Sequence, residues 1–235
     1  GDGPVTDQIT QILTQASIWL LPVLLAITLH EAAHGFAAYR LGDDTAKRAG
    51  RMTLNPLAHV DPFGTLVLPG LLLILYFTAG GGILFGYAKP VPVDHRRLNN
   101  PKHDMAWVAL AGPGINFALA FVSVLLIAVV MPVGGGFANW AVKMLRVSVF
   151  FNCLIAIFNL MPIPPLDGSR VVSAPLPDDL SMRYNGLERF GLLIVLGVFF
   201  LPALAFGWSP FGPLVFDPTV AVARAFLSLA NIPLT

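Results

Sequence analysis

The sequence has 235 residues, of which 56% are hydrophobic and only 11% are charged. A typical soluble domain carries roughly 25% charged residues, and a soluble globule could not bury this much apolar surface. Fourteen Lys and Arg against thirteen Asp and Glu give a net charge of +1, which leaves no basic excess to neutralise nucleic-acid phosphates. The composition therefore predicts a membrane protein and argues against nucleic acid as a partner.

The charged residues are also unevenly spaced along the chain. Five runs without Asp, Glu, Lys or Arg are each long enough to supply the roughly 20 apolar residues of a spanning helix. These runs are residues 8–30, 62–88, 105–142, 147–166 and 190–216. The spacing predicts a single all-α, multi-pass membrane domain over residues 1–235, with about five to six transmembrane helices. The C-terminal helices fall within 188–231, where the tail 218–231 is a short last helix or an interfacial one.

Basic residues in the connecting loops predict the orientation. Lys and Arg concentrate in the loops 40–61, 86–104 and 162–189, and they are absent from residues 1–8, 132–140 and 207–219. Cytoplasmic loops of membrane proteins carry an excess of Lys and Arg, so we expect the three basic loops in the cytoplasm of a cell-membrane protein. The first helix then runs inward and ends near Arg40. The helices that follow run outward over 105–131, inward over 141–160 and outward over 188–206.

One apolar segment does not fit a simple crossing. If Thr65–Phe85 crossed the membrane once, it would place two basic loops on opposite sides. The segment also contains Pro69 and three successive glycines at 80–82. Irregular backbone is tolerated at membrane depth where protein or a wet cavity surrounds it, so we predict a re-entrant segment over 65–85.

The next stretch, Gly86–Asp94, predicts an extended strand in a short β-hairpin-like loop. Pro90 and Pro92 lack the backbone donor and lie two residues apart, so one edge of such a strand cannot pair. Val91 and Val93 keep their donors and acceptors on the other edge. That edge could bind an unwound peptide by strand addition, which is the substrate-binding role we predict for Val91 and Val93. A rigid proline-rich connection is the alternative.

The first helix contains the sequence TLHEAAHGF, in which His30 and His34 are four residues apart. On an α-helix this spacing places two imidazoles about 40° apart around the axis and about 6 Å apart along it, close enough to bind one metal ion. The neighbouring Glu31 can accept a proton from zinc-bound water. This H-E-x-x-H arrangement predicts a zinc (Zn2+) hydrolase site. A chance pair of core histidines is disfavoured, because ionisable groups inside a spanning segment are costly unless they are functional.

A catalytic zinc site needs three protein ligands and an open fourth position for water. Asp167 is the candidate third ligand, because it follows the 141–160 helix, whose inner end approaches the His pair. Three prolines before it cannot continue an ordinary helix, so the chain can extend there and turn Asp167 inward. Gly168 leaves room for that turn. The alternative is a solvated turn aspartate.

Three motifs occur in the order that is typical of one protein family. HEAAH at 30–34, AGPGIN at 111–116 and NLMPIPPLDG at 159–168 lie on three apolar segments. They resemble the H-E-x-x-H, A-G-P-x-x-N and N-x-x-P-x-P-x-L-D-G patterns of the site-2 protease family of intramembrane zinc metalloproteases. The resemblance covers residues 18–170, and GRMTLNPLAHVDPFGTL and GYAKPVPVD resemble its small prokaryotic branch without accessory domains. Ser169 departs from the pattern, because many relatives have a second Gly at that place.

The resemblance implies regulated cleavage of transmembrane protein substrates within the lipid bilayer. It implies one zinc ion per chain, with His30, His34 and Asp167 as ligands and Glu31 as the general base. It also suggests that Asn159 holds the substrate or the tetrahedral intermediate. No stretch is long and polar enough for an extra soluble domain, so control is expected from substrate shape, prior trimming or an unidentified regulatory membrane partner.

The main alternative is a polytopic metal transporter or metal-binding membrane protein, in which the same three residues hold a passing ion. Transporters often contain paired repeats with broken helices in both halves, and the sequence has no such pairing. A catalytically inactive scaffold is disfavoured because Glu31 is present.

A few other residues carry weaker expectations. Cys153 lies in an apolar run and should pack in the interior. Gly112 and Gly114 should permit close helix packing, and Asn116 on the same helix should hydrogen-bond near the site. The remaining histidines, at positions 59, 95 and 103, are expected to have ordinary surface or turn roles.

Overall fold

The computed structural model describes residues 4–59 and 89–232. Within these ranges the regular structure is helical and contains no strand, which agrees with the predicted all-α class. Numbered in chain order, the α-helices are α1 (Pro4–Arg40), α2 (Thr45–Arg48), α3 (Pro101–Val130), α4 (Gly135–Asn159), α5 (Asp167–Ser173), α6 (Asp178–Asn185), α7 (Gly191–Phe199), α8 (Leu201–Phe206) and α9 (Asp217–Ser228). Short 3-10 helices lie at Pro56–His59, His95–Arg97, Met131–Val133 and Gly186–Phe190, and a π-helical turn at Gly212–Phe216 precedes α9.

Four stretches of the described residues are helical, long enough and apolar enough to cross a membrane. They are Leu13–Arg40, Pro101–Val133, Gly135–Asn159 and Asp178–Phe206. Each contains or closely matches one of the four helices expected from the charge pattern. Helix α9 has 12 residues and is about 18 Å long, which is too short to cross. The re-entrant segment predicted over 65–85 and most of the β-hairpin-like loop lie outside the described residues, so the total number of spans stays a prediction.

Local sequence explains where the long helices begin and end. Helix α3 starts at Pro101, where the missing backbone donor has no intrahelical partner to lose. Asp104 then closes the first turn, because its Oδ2 accepts the Asn100 N–H at 2.7 Å. Gly134 has a φ of 67°, a left-handed conformation that favours glycine, and it separates the end of α3 from the start of α4.

The long helices pack through aliphatic and small side chains. One buried cluster joins α3, α4 and α9 and includes Ala120, Val124, Val149, Cys153 and Ala223. Cys153 is fully buried there, which confirms the expectation that it packs in the interior. Helix α1 is tied to α4 at the opposite end from Arg40, where the Trp140 Nε1–H donates to Ser17 Oγ at 3.0 Å.

The basic loops meet at the Arg40 end of α1. The Arg97 guanidinium lies 2.5 Å from Asp44, and the Lys102 ammonium lies 2.8 Å from Asp178. Leu98 packs against buried residues of α1 and α3, which holds the 95–100 loop to the helix bundle. The three loops predicted to share one side of the membrane therefore contact one another at one end of the described fold.

Candidate active site

The two histidines of the H-E-x-x-H sequence face each other on α1. Their Nε2 atoms are 3.0 Å apart, and their rings are nearly perpendicular with centroids separated by 4.6 Å. His30 is buried, and it lies ten residues, or about 15 Å, from the Arg40 end of the helix. The helical spacing therefore brings both imidazoles to one point inside the apolar bundle, as the sequence predicts.

Asp167 reaches the same point from the start of α5. Its Oδ2 lies 3.2 Å from His30 Nε2 and 3.3 Å from His34 Nε2. Gly168 makes this turn possible, since a Cβ at that position would lie 2.1 Å from the Leu160 carbonyl oxygen and 2.5 Å from that of Met161. Asp167 is therefore not the solvated turn aspartate that was the alternative.

The protonation pattern of the histidines decides what this cluster can do. The His34 Nδ1 lies 2.7 Å from the Val108 carbonyl oxygen, which can only accept, so Nδ1 carries the proton. His30 Nδ1 lies 2.6 Å from Asn116 Oδ1 and donates in the same way. In the neutral imidazoles both Nε2 atoms then hold lone pairs, and these point to the region that Asp167 Oδ2 also occupies.

These three atoms fit a metal ion. Asp167 Oδ2 is buried and receives no hydrogen bond, although a buried carboxylate oxygen without a partner is costly. When both Nε2 atoms are unprotonated, the cluster offers three electron pairs to one point, and a metal cation there would bind all three. Zinc bonds of about 2.0–2.1 Å in a tetrahedron place neighbouring ligand atoms about 3.3 Å apart, and the three observed separations are 3.0, 3.2 and 3.3 Å. His30, His34 and Asp167 could therefore hold one zinc ion.

Gly112 on α3 allows this close approach. A Cβ added there would lie 2.5 Å from His34 Nε2 and 2.6 Å from His30 Cε1, so no larger residue fits beside the pair. By contrast, a Cβ at Gly114 would meet none of the described residues within 4 Å. Close packing was expected at both glycines. The structure confirms it at Gly112, whereas no described residue packs closely against Gly114.

Glu31 lies next to the His pair and contacts the proline-rich segment. Its Oε2 accepts the backbone N–H of Val91 at 2.9 Å, which brings residues 89–94 alongside the candidate metal site. These residues pair with no strand in the described part of the chain. Val93 is half-buried and packs against the cluster of Ala38, Leu98 and Val108.

A buried carboxylate that the sequence analysis did not single out anchors this segment. Asp43 is fully buried, and its Oδ2 accepts the Asp94 N–H at 2.7 Å. Its other oxygen accepts the Thr45 N–H at 2.9 Å, so one side chain joins the end of α1 to the segment that contacts Glu31. The sequence signal was the Asp-x-Thr spacing after α1, which is typical of a side-chain-closed turn. That pattern does not reveal the distant partner Asp94.

The structure does not bring Asn159 into the cluster. It is the last residue of α4, and its Nδ2 donates to the Ile155 carbonyl oxygen at 3.0 Å, one turn back on the same helix. The expectation for Asn116 is confirmed by its bond to His30. Of the other histidines, His95 and His103 are exposed, but His59 is buried. His59 Nε2 lies 3.0 Å from the Thr53 carbonyl oxygen, so it supports a turn and is not a surface residue.

Comparison with known proteins agrees with a metal site. The chain is 35% identical over 187 residues to "Putative zinc metalloprotease YwhC" of Bacillus subtilis (strain 168), covering 78% of this chain and 80% of that protein. The chain belongs to the zinc metalloprotease family of YwhC and Rip2. It is 31% identical over 201 residues to "Putative zinc metalloprotease Rip2" of Mycolicibacterium smegmatis, covering 82% of this chain and 71% of that protein.

A further similarity covers a shorter stretch of the chain. The chain is 40% identical over 68 residues to "Putative zinc metalloprotease MJ0611" of Methanocaldococcus jannaschii, covering 28% of this chain and 31% of that protein. No known family profile and no solved structure matches the chain. The names of these relatives support a zinc protease, and the apolar helices support a membrane location.

Proposed function

We propose that the chain is an intramembrane zinc endopeptidase of the site-2 protease type, which hydrolyses peptide bonds in transmembrane protein substrates. It forms a single domain over 1–235, with the catalytic core within about 18–170. The observation that carries this proposal is the convergence of two imidazole nitrogens and one buried, unpaired carboxylate oxygen at one point between spanning helices. Ionisable groups are rare at such depth and mark functional sites.

His30, His34 and Asp167 would hold the metal, and Glu31 would act as the general base. Zinc, when bound, supplies Lewis acidity that polarises a peptide carbonyl and makes water a better nucleophile near neutral pH. The Glu31 carboxylate accepts the proton from the attacking water and delivers it to the nitrogen of the leaving amine. The Val91 N–H, at 2.9 Å from Glu31, holds this carboxylate beside the cluster.

The substrate must present an unwound peptide, because helical backbone groups are already paired. We propose that residues 89–94 bind it by strand addition, with Val91 and Val93 on the pairing edge. Within the described residues the backbone groups of Val93 make no hydrogen bond, whereas the Val91 N–H is donated to Glu31. Asn159 is the second proposed substrate contact. One of its two amide N–H groups is donated to the Ile155 carbonyl oxygen, so its second N–H can donate to a substrate and its oxygen can accept from one.

We propose that the site opens towards the cytoplasm of a multi-pass cell-membrane protein. Contacts among the three basic loops at the Arg40 end of α1 support one shared side for them. A transmembrane protein substrate would approach through the lipid bilayer, and a separate membrane protein is the proposed kind of regulatory partner.

Glu31→Gln tests this function. The variant should lose cleavage of a transmembrane reporter while retaining one zinc per chain, because the amide cannot accept the proton but leaves the three ligands intact. The matched control is Glu188→Gln, since Glu188 pairs with Arg170 at 2.8 Å and the amide keeps an acceptor there. A metal transporter would keep its metal-dependent behaviour in Glu31→Gln. Turnover at the wild-type rate in the zinc-loaded variant would refute the assignment.

A further inference from the structure

A chain of hydrogen bonds runs from His30 into the interface between α3 and α4. His30 Nδ1 lies 2.6 Å from Asn116 Oδ1, Asn116 Nδ2 lies 2.8 Å from Asn152 Oδ1, and Asn152 Nδ2 lies 2.9 Å from the Ser148 carbonyl oxygen. Asn116 is 0% and Asn152 is 1% exposed. A buried amide is costly unless it is paired, so each of these bonds must be made by the protein itself.

The Ser148 carbonyl oxygen, at the end of this series of hydrogen bonds, determines which atom donates and which accepts in each of them. The Ser148 carbonyl oxygen can only accept, so Asn152 must turn its NH2 group towards it and its Oδ1 towards Asn116. Asn116 must then donate from Nδ2, and it places a second N–H bond on the Ala26 carbonyl oxygen at 3.2 Å. This orientation leaves only the Asn116 oxygen for His30.

The direction of these hydrogen bonds determines which nitrogen of His30 carries the proton. An oxygen acceptor at Nδ1 requires that Nδ1 carry the proton, so Nε2 holds the lone pair that faces His34 and Asp167. If Asn116 were rotated, its NH2 would face Nδ1 and place the proton on Nε2, where it would block a metal. His34 needs no such arrangement, because its Nδ1 donates directly to a backbone carbonyl.

We propose that Asn152 is a positioning residue that fixes the metal-binding tautomer of His30 through Asn116. Among the described residues, the Asn152 side chain hydrogen-bonds Asn116 and Ser148 and none of the candidate metal ligands. This inference rests on the proposed function, because it requires His30 to be a metal ligand. Partners that orient a liganding histidine typically change metal affinity about 10–100-fold when they are removed.

Asn152→Leu tests the inference in the full-length protein. The change removes the three hydrogen bonds of the Asn152 amide, to Asn116, to the Ser148 carbonyl oxygen and to Ser148 Oγ. The Asn116 NH2 group then keeps only the 3.2 Å bond to the Ala26 carbonyl oxygen, so Asn116 is held less firmly and can rotate. Zinc affinity should fall about tenfold, as measured by competition with a chelator of known affinity. This is the lower end of the range for residues that bond a liganding histidine directly, because Asn152 acts on His30 only through Asn116. Nitrogen-15 NMR of histidine-labelled, zinc-free protein should show a smaller fraction of His30 in the Nδ1-protonated tautomer than in the wild type.

Two further variants make the result specific. In Asn152→Ser the new hydroxyl can donate to the Ser148 carbonyl oxygen but is too short to reach Asn116. The variant therefore removes the hydrogen bond to Asn116 without burying an unpaired hydroxyl, and it should show the same fall in zinc affinity. Ser123→Ala is the matched control, because it removes another polar group from the α3–α4 interface, a hydroxyl that bonds Ser148 Oγ at 2.9 Å. Asn152 keeps its bonds to Asn116 and to the Ser148 carbonyl oxygen in this variant, so zinc affinity and the His30 tautomer populations should stay as in the wild type.

The outcomes separate this inference from the proposed function. A wild-type chain that binds no zinc would overturn both. A wild-type chain that binds zinc, together with folded Asn152→Leu or Asn152→Ser variants of unchanged zinc affinity and unchanged His30 tautomer populations, would overturn the role of Asn152 alone. An equal loss of zinc affinity in Ser123→Ala would also overturn it, because the effect would then follow from general packing.

Discussion

Gly112→Ala should disable the site by adding a single methyl group. The new Cβ would lie 2.5 Å from His34 Nε2 and 2.6 Å from the Cε1 atoms of both His30 and His34. Real Cβ atoms do not approach other heavy atoms within 3.0 Å, so at least one imidazole or α3 itself must move by about 0.5 Å. Both rings are held at Nδ1, by Asn116 and Val108, so the movement cannot be a simple ring rotation.

The expected effects follow from this displacement. Overpacking a close-packed interior costs about 1–3 kcal/mol of stability. Displacement of ligand atoms by half an ångström should weaken zinc binding by roughly 10–100-fold, the range seen when ligand-orienting contacts are lost. Cleavage at saturating zinc should fall by up to about 100-fold, since misplacement of reacting groups by about 1 Å has that effect.

The assay compares Gly112→Ala with Gly114→Ala on the same helix. Zinc affinity is measured by chelator competition, cleavage with a transmembrane reporter at saturating zinc, and folding by thermal unfolding in detergent. Gly114→Ala should keep wild-type affinity and activity, because no atom of residues 4–59 or 89–232 lies within 4 Å of its Cβ and alanine favours the helix. If folded Gly112→Ala bound zinc and cleaved the reporter like the wild type, the close packing around the His pair would not be the structure of the working site.

The remaining predictions concern the residues around Glu31 and the metal. Val91→Pro removes the backbone N–H that donates to Glu31 at 2.9 Å, so reporter cleavage should fall while the zinc content stays unchanged. An unchanged cleavage rate would show that the Val91 N–H has no role in the reaction. Asp43→Ala leaves two part-buried N–H donors, of Thr45 and Asp94, unpaired and should lower the free energy of unfolding by about 2–3 kcal/mol. Asp44→Ala removes only ion pairs with Arg48 and Arg97 near the surface and should lower it much less; equal unfolding midpoints for both variants would contradict the anchoring role of Asp43. A strong chelator should abolish cleavage, and added zinc should restore it; cleavage that persists in metal-free protein would contradict a metal-dependent hydrolysis.

The metal cluster was predictable because its chemistry is encoded locally. The i, i+4 spacing fixes the relative position of His30 and His34 on any helix, whatever the helix packs against. Asp167 was found for a different reason. It follows a run of prolines that must leave the helix, and few acidic residues lie in or beside the apolar segments. Gly112 could be expected to allow close packing, but only the structure shows that its neighbours are the two imidazoles.

Interactions between distant residues were not predictable in the same way. Asp43 and Asp94 are 51 positions apart, and nothing in either local sequence indicates that they bond. The bond between Asn116 and Asn152 depends on the rotation of α3 against α4, which aliphatic packing along both helices determines. Conversely, residues of one sequence motif need not lie together, as Asn159 shows. Its motif continues to Asp167, but the end of α4 leaves its side chain on its own helix.

The account depends most on one claim, that His30, His34 and Asp167 bind a zinc ion together. Zinc-edge X-ray absorption of the purified, zinc-loaded protein measures this directly. The account predicts one zinc per chain in a shell of nitrogen and oxygen at about 2.0–2.1 Å, with scattering from two imidazoles that is reduced to one in His34→Ala. A shell that contains sulfur at about 2.3 Å, or one that is unchanged in His34→Ala, would contradict it.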